Sequence, residues 1–382
     1  MPIKILHIAT GLGMGGAETS LANLMAFTDR TEFEPRVLSL SDDQPVGERI
    51  RALGIPVDTL GMRPGRIVPA DFLRLTRYLR DVKPELVQTW MYHADLLGSL
   101  AAPFAGNPPV VWGLHLTVSD MQSVKLGTRL VIRANALLSH WSPVRIVCCA
   151  ENTRRSHADL GYAAAKMTVI PNGFDLSKFQ PDESARAGVR AELGLSPEAK
   201  LVGMAARFHP QKDHANFVAA AAHLHEKMPE VHFALWGRDI NWDNSVLAGW
   251  IDAAGLRDRF HLLDLRLDAP RLTAALDMAA LSSARGEAFP MVIGEAMACA
   301  VPCAVTDVGD AASMVADTGR TVPPGDAAAL ARAWQELLEM PNEDRSRLGQ
   351  RARQRVMEQY DIRKTSGQYA DLYKDIISGW RK

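Results

Sequence analysis

Two glutamates carry the strongest chemical signal in the chain. Glu287 and Glu295 stand in the run Arg285-Gly286-Glu287-Ala288-Phe289-Pro290-Met291-Val292-Ile293-Gly294-Glu295-Ala296-Met297-Ala298. The first lies in a glycine-containing turn, where a carboxylate can face a ligand. The second lies in an apolar run that reads as a helix, about two turns in, roughly 10 Å further along at ~1.5 Å rise per residue. Two cations follow a strand-like run, Arg207 and Lys212 in Arg207-Phe208-His209-Pro210-Gln211-Lys212-Asp213. A guanidinium binds two oxygens at once, whereas an ammonium acts as a point charge. Cations placed where negative charge develops on a leaving group lower its barrier. A third feature is the loop Gly11-Leu12-Gly13-Met14-Gly15-Gly16-Ala17-Glu18, between the first strand-like run and the first helical pattern. Glycines there let the backbone approach a phosphate, and the helix N-terminus offers N–H groups and positive potential. Residues 11, 13 and 16 also fit Gly-x-Gly-x-x-Gly, so a dinucleotide site is a rival reading. Its expected acidic partner is missing at the end of the second strand, where Ser39, Leu40 and Ser41 stand and Asp42 comes late.

These residues need strands and helices to hold them. Ile3–Ala9, Arg36–Leu40, Leu86–Thr89, Val110–Gly113 and Arg145–Cys149 read as strands, with helices at Leu21–Phe27, Pro69–Leu79 and Asp95–Phe104. This is the βαβ rhythm of a parallel sheet covered on both faces. The rhythm restarts with Leu201–Ala205, His232–Trp236, Phe260–Leu263, Ala279–Ser282 and Cys303–Thr306. The expected division is an N-terminal domain over 1–178 and a C-terminal domain over 183–361, with the boundary near Lys178–Arg190. Two open α/β units facing each other would form a cleft at their strand C-terminal ends. The tail reads as an amphipathic helix with Tyr369, Leu372, Tyr373, Ile376 and Ile377 on one side.

With these motifs in place, the chain resembles the retaining glycosyltransferases of the GT-B fold, family 4 (glycosyl transferases group 1), whose signature is Glu-x7-Glu. The resemblance covers nearly the whole chain. It includes the Gly-x-Gly-Gly-Ala-Glu loop, Ile170-Pro171-Asn172-Gly173-Phe174-Asp175, Arg207 with Lys212, Glu287 with Glu295, and Asp307-Val308-Gly309-Asp310. It implies an α/β architecture of two Rossmann-like domains facing a central cleft, with the last helix, 362–382, crossing back to the first domain. It implies transfer of a sugar from a nucleoside-diphosphate sugar to a glycan or lipid-linked acceptor, in polysaccharide or glycolipid biosynthesis. The separation of the two acids is about that between the sugar and the ribose of such a donor. By resemblance Glu287 faces the donor sugar and Glu295 binds the ribose, while Arg207 and Lys212 stabilise the departing diphosphate. Gly13, Gly15 and Gly16 lie over the diphosphate or contact the acceptor. Backbone N–H groups near Phe289 and Met291 contact sugar or phosphate; Pro290 has none to give. His115, just past a strand, matches the family's histidine near the reacting sugar, and His93 is a second candidate, for the acceptor. Leu263 and Arg266 flank the nucleobase. The chain departs from the common Glu-Gly-Phe-Gly in having Glu-Ala-Phe-Pro, which leaves sugar selectivity open.

Composition removes several other classes. A net charge of -1 lacks the basic excess of a nucleic-acid binder. No apolar run approaches the ~20 residues of a spanning helix, and the N-terminus lacks the regions of a signal peptide. Cys148, Cys149, Cys299 and Cys303 lie in apolar surroundings without Cys-x-x-Cys spacing, as buried thiols in a reducing cytoplasm would. Asp-x-Asp is absent from the sequence, so no cofactor and no metal requirement is expected. Between Met121 and Ala150 there is no acid, and Lys125, Arg129 and Arg133 are spaced by four beside apolar residues. That pattern fits either a peripheral contact with an anionic membrane or a core-packed helix with a solvated basic stripe. Rival functions are a nucleotide-sugar epimerase or hydrolase, an NAD-dependent dehydrogenase using the glycine loop alone, and a non-catalytic sugar-nucleotide sensor.

Overall fold

Short runs that are apolar at successive positions suit strands buried on both faces. The N-terminal unit has seven of them among its described residues: β1 (Ile3–Ala9), β2 (Phe33–Ser39), β3 (Val57–Thr59), β4 (Leu86–Trp90), β5 (Val110–Leu114), β6 (Arg145–Cys148) and β7 (Met167–Val169). They form a parallel sheet in the order β3-β2-β1-β4-β5-β6-β7. The C-terminal unit has β8 (Leu201–Ala205), β9 (His232–Trp236), β10 (Phe260–Leu262), β11 (Met278–Leu281), β12 (Cys303–Thr306) and β13 (Gly319–Val322). Its order is β10-β9-β8-β11-β12-β13, again all parallel. The computed structural model describes residues 1–63, 68–118, 121 and 124–380. Residues 122 and 123 of the acid-free stretch, and 381 and 382 of the expected tail helix, lie outside them.

Strand order reverses between β1 and β4 in the first sheet and between β8 and β11 in the second. Such switch points open a crevice at the strands' C-terminal ends, where open α/β sheets bind ligands. The glycine loop follows β1 and His93 follows β4. Arg207 and Lys212 follow β8, and Glu287 follows β11. The two sheets therefore present the candidate residues where their topology offers a site.

The units are Met1–Gly173 with the segment from Ile362 onward, and Phe174–Asp361. The division falls before the expected Lys178–Arg190 boundary. Phe174 already belongs to the second unit: its N–H donates to the Tyr360 carbonyl at 2.8 Å, and its ring packs on Phe289 and Tyr360. The helix Ile362–Trp380 buries Tyr369, Tyr373 and Ile377 in the N-terminal core with Ile5, Phe33 and Trp90. The Tyr373 hydroxyl donates to Gln88 Oε1 at 3.2 Å, which satisfies both buried groups.

Candidate functional site

In the C-terminal unit the basic and acidic motifs meet. Lys212 Nζ lies 2.5 Å from Glu287 Oε1, and Ser283 Oγ donates to the same oxygen at 2.6 Å. Among the described residues Glu287 Oε2 takes no hydrogen bond, so that oxygen is open to a ligand hydroxyl. The pair is held by backbone on both sides. Ser282 Oγ donates to the Lys212 carbonyl at 2.7 Å, and Ala284 N–H to the Gln211 carbonyl at 2.9 Å. From the other side, Thr306 Oγ1 donates to the Ser283 carbonyl at 2.7 Å, and Asp310 N–H to the Ala288 carbonyl at 3.0 Å. Gly309 has φ +59°, and a Cβ there would overlap the Glu287 carbonyl. Only glycine lets the loop after β12 lie so close to Glu287.

Arg207 is exposed and makes no ion pair among the described residues. His209 is held below the usual imidazole value by partial burial and by Arg207, Lys212 and Arg285 around it. Three cations thus share one neighbourhood, and Arg285 is a member that motif reading passed over. Asp213 takes the left-handed conformation at φ +49° and caps the helix His214–His225 by accepting from Asn216 N–H at 3.2 Å.

The helix Met291–Ala298 starts directly after Pro290, so Glu295 stands just over one turn into it, not two. Its N-terminus opens at the C-terminal edge of the sheet, where N–H groups suit an anion. Met291 is its first residue. Phe289 is buried, stacked on Phe174 at 5.9 Å between ring centres and edge-on to Tyr360 at 5.3 Å. Its side chain anchors the loop, so a ligand contact there would come from its backbone. Leu263 is half-buried, with its N–H bonded to the Leu235 carbonyl at 2.9 Å. Arg266 is committed to Asp268 at 2.8 Å and Glu192 at 2.7 Å. It is not a loose cation awaiting a base, and periodicity could not foresee that network.

In the N-terminal unit the glycine loop is tied to its neighbours. Leu12 N–H donates to the Asp42 carbonyl at 3.2 Å, and Ser41 Oγ to the Thr10 carbonyl at 2.8 Å. A Cβ on Gly15 would overlap the Glu18 carboxylate, whereas Gly13 has open space around it. Gly15 therefore permits a close approach, and Gly16 begins the helix Gly16–Phe27. His115 stacks on Trp90, with ring centres 4.7 Å apart and planes at 20°. Burial pushes its imidazole down to about 4, with Asn172 opposing, and neither ring nitrogen has a hydrogen-bond partner of good geometry. Trp90 Nε1 donates to Nδ1 of buried His7 at 3.2 Å. Met91 has φ +73° at the end of β4, a strained conformation of the kind that clusters at functional sites. Two residues on, His93 is partly buried, which lowers its basicity. Lys125 and Arg133 are exposed, while Arg129 is half-buried and donates to the Val124 carbonyl at 3.1 Å. A cavity of about 570 Å³, lined by Arg80, Lys83, Pro109 and Trp380 among others, contains none of these residues.

Comparison with known proteins identifies the family and the fold. The family Glycosyl transferases group 1 matches residues 186–355, and Glycosyltransferase Family 4 matches residues 14–178. The chain belongs to this glycosyltransferase family, and its two Rossmann-like units are those of the GT-B fold. It is 29% identical over 239 residues to the UDP-Gal:alpha-D-GlcNAc-diphosphoundecaprenol alpha-1,3-galactosyltransferase of Escherichia coli, covering 62% of this chain and 61% of that one. It is 26% identical over 333 residues to the putative glycosyltransferase EpsF of Bacillus subtilis (strain 168), covering 80% and 79%. Among solved structures, Anabaena HepE in complex with UDP and glucose superposes with a TM-score of 0.86 at 23% identity, over 98% of this chain and all of that one.

Proposed function

We propose that the protein transfers a sugar from a nucleoside-diphosphate sugar to a glycan or lipid-linked acceptor, with retention of anomeric configuration. The observation that carries this is the Lys212–Glu287–Ser283 constellation beside Arg207, at the switch point of the C-terminal sheet. The donor's anomeric C–O bond breaks, and its electron pair stays on the diphosphate. Arg207 and Lys212 stabilise that charge. The acceptor hydroxyl attacks from the same face, and its proton passes to the departing phosphate oxygen. Glu287 Oε2 receives a donor sugar hydroxyl, and Glu295 the ribose. His115, neutral at physiological pH, acts near the reacting sugar, and His93 on the acceptor. The E. coli relative is named for UDP-Gal and HepE was solved with UDP, which supports a uridine diphosphate sugar as the donor. A nucleotide-sugar donor fits a reaction in the cytoplasm, in the assembly of polysaccharide or glycolipid precursors.

Thermal stabilisation by UDP, GDP, ADP and NAD, for the wild type and Glu295→Ala, tests the donor site. A ligand at 100 times its Kd adds about 2.7 kcal/mol. Stabilisation by one nucleoside diphosphate, lost in the variant, is expected. Stabilisation by NAD alone would overturn the reading, and donor turnover without any acceptor would turn it into hydrolysis or epimerisation. The cations already present in the loop after β8 support a reaction that needs no divalent ion. Turnover abolished by chelator and restored by a divalent ion would refute that.

A further inference from the structure

We infer that the outward face of the helix Leu126–Leu138, continued to Trp141, is a docking surface for an anionic phospholipid bilayer. The helix's inner side is accounted for: Val131, Ile132 and Ala136 are buried in the N-terminal core. Its outer side is not what a solvated helix presents. Leu126 is 68% exposed, Leu130 56%, Leu137 67% and Trp141 76%. Spacings of four and seven residues keep the three leucines on one stripe at 3.6 residues per turn, and Trp141 follows in the turn after the helix. Single exposed leucines are ordinary, but an apolar stripe in register marks an interaction surface.

Charge selects the occupant. Lys125 and Arg133 are exposed beside the stripe, and the sequence from Met121 to Ala150 contains no acid. A second copy meeting this face about a two-fold axis would set these cations against themselves. An anionic lipid surface complements them. Their aliphatic stems lie along apolar surface while the charges reach headgroups, and an indole at the stripe's end suits the membrane–water interface. From Leu126 to Leu137 the helical part of the stripe runs about 17 Å at 1.5 Å per residue, and Trp141 extends it in the turn after the helix. Among the described residues no helix is long and apolar enough to cross a membrane, so the contact is peripheral. Arg129, tied to the Val124 carbonyl, holds the helix start and is not one of the docking cations. Docking on lipid suits the lipid-linked acceptor of the proposed function. In that respect the inference rests on the lipid-linked reading of the acceptor; the docking itself does not.

Co-sedimentation of the full-length protein with phosphatidylcholine vesicles, with and without phosphatidylglycerol, tests it. Two variants, Leu130→Ser/Leu137→Ser/Trp141→Ser and Lys125→Ser/Arg133→Ser, alter exposed side chains only, and their melting temperatures verify the fold. The wild type is expected to bind the anionic vesicles, each variant to bind roughly tenfold less, and stabilisation by nucleoside diphosphate to stay unchanged in both. Failure of the wild type to bind, or undiminished binding by both variants, overturns the inference. A wild-type dimer that the leucine variant converts to monomer also overturns it, in favour of a second copy as the occupant. Because the nucleotide is read separately, loss of vesicle binding and failure of the donor site are distinguishable.

Discussion

Glu287 Oε1 accepts from both Lys212 and Ser283, so this carboxylate is oriented by the protein alone and offers its other oxygen outward. Replacing Lys212 by Met leaves a largely buried acid with only a hydroxyl partner. We expect a loss of about 1–3 kcal/mol in unfolding free energy together with a roughly 100-fold fall in kcat. Glu287→Gln keeps the shape and releases the lysine for the diphosphate. It should bind nucleoside diphosphate at least as tightly as the wild type while turning over poorly. Calorimetric titration beside steady-state kinetics separates the two, and equal nucleotide affinity in both variants would deny Lys212 its diphosphate role. Gly309→Ala probes the same carboxylate from behind. The positive φ disfavours alanine, and the added methyl would displace the Glu287 carbonyl. Activity should fall at least tenfold in a protein that still folds; unaltered kinetics would show that the loop absorbs the methyl elsewhere. Lys212 and Glu287, which the structure brings together, stand out in the sequence because charged residues beside glycine and proline break an apolar pattern. Ser283, Arg285 and Gly309 do not, because their importance lies in contacts across adjacent loops that no spacing rule records.

The strand and helix runs read from hydrophobic pattern match the buried elements closely, since a doubly covered parallel sheet leaves continuous apolar stretches. β3, β7 and β13 escaped that reading. Each is three or four residues long and forms an edge of its sheet, where side chains are half exposed and the pattern fades. The helix Gly16–Phe27 begins five residues before the expected Leu21, because glycine and serine hide a helical first turn. The placement of the helix Met291–Ala298 depends on a pairing that sequence does not show. A Cβ on Gly294 would overlap the Phe174 ring, so a large side chain at one position requires none at the other. Gly294→Ala should destabilise the C-terminal unit despite alanine's better helix propensity of about 1 kcal/mol, and weaken nucleotide binding through the adjacent Glu295. Phe174→Val alone leaves a void worth about 1–3 kcal/mol. The double variant should recover both stability and affinity, with a coupling of about 1–3 kcal/mol. Simple additivity in a double-mutant cycle would sink the idea that this contact seats the helix.

Across the whole molecule, both units bury ionisable groups, and these set the response to acid. The N-terminal unit encloses His7, His115 and His157, which burial lowers to about 3, 4 and 4. Trp90 donates to Nδ1 of His7, so that nitrogen must stay unprotonated in the fold. As pH falls below about 6.5, each histidine takes up a proton when unfolded but not when folded, and stability drops by about 1.4 kcal/mol per pH unit per residue. Buried Asp95 acts with the opposite sign: its carboxyl is raised well above the usual range by burial, so the folded state holds a proton that the unfolded state has released. It offsets part of the histidine loss in the N-terminal unit. In the C-terminal unit His214 is lowered to about 4 by burial and then by Lys212, and His232 to about 4 by burial and then by His261 and Arg259, so this unit loses stability over the same window. The acids held low there, Asp268 at about 2 and Asp277, lose their contribution only below the usual carboxylate value of about 3.8, outside this window. Calorimetric scans between pH 7.5 and 4.5 should therefore show the unfolding transitions of both units moving down as the pH falls below about 6.5. His7→Gln, which keeps an acceptor for Trp90, should reduce the N-terminal slope by about 1.4 kcal/mol per pH unit. A slope unchanged by that substitution would mean that His7 takes its proton within the fold, and the aromatic stack running from the terminal helix through Trp90 to His115 would then have to open at mildly acidic pH.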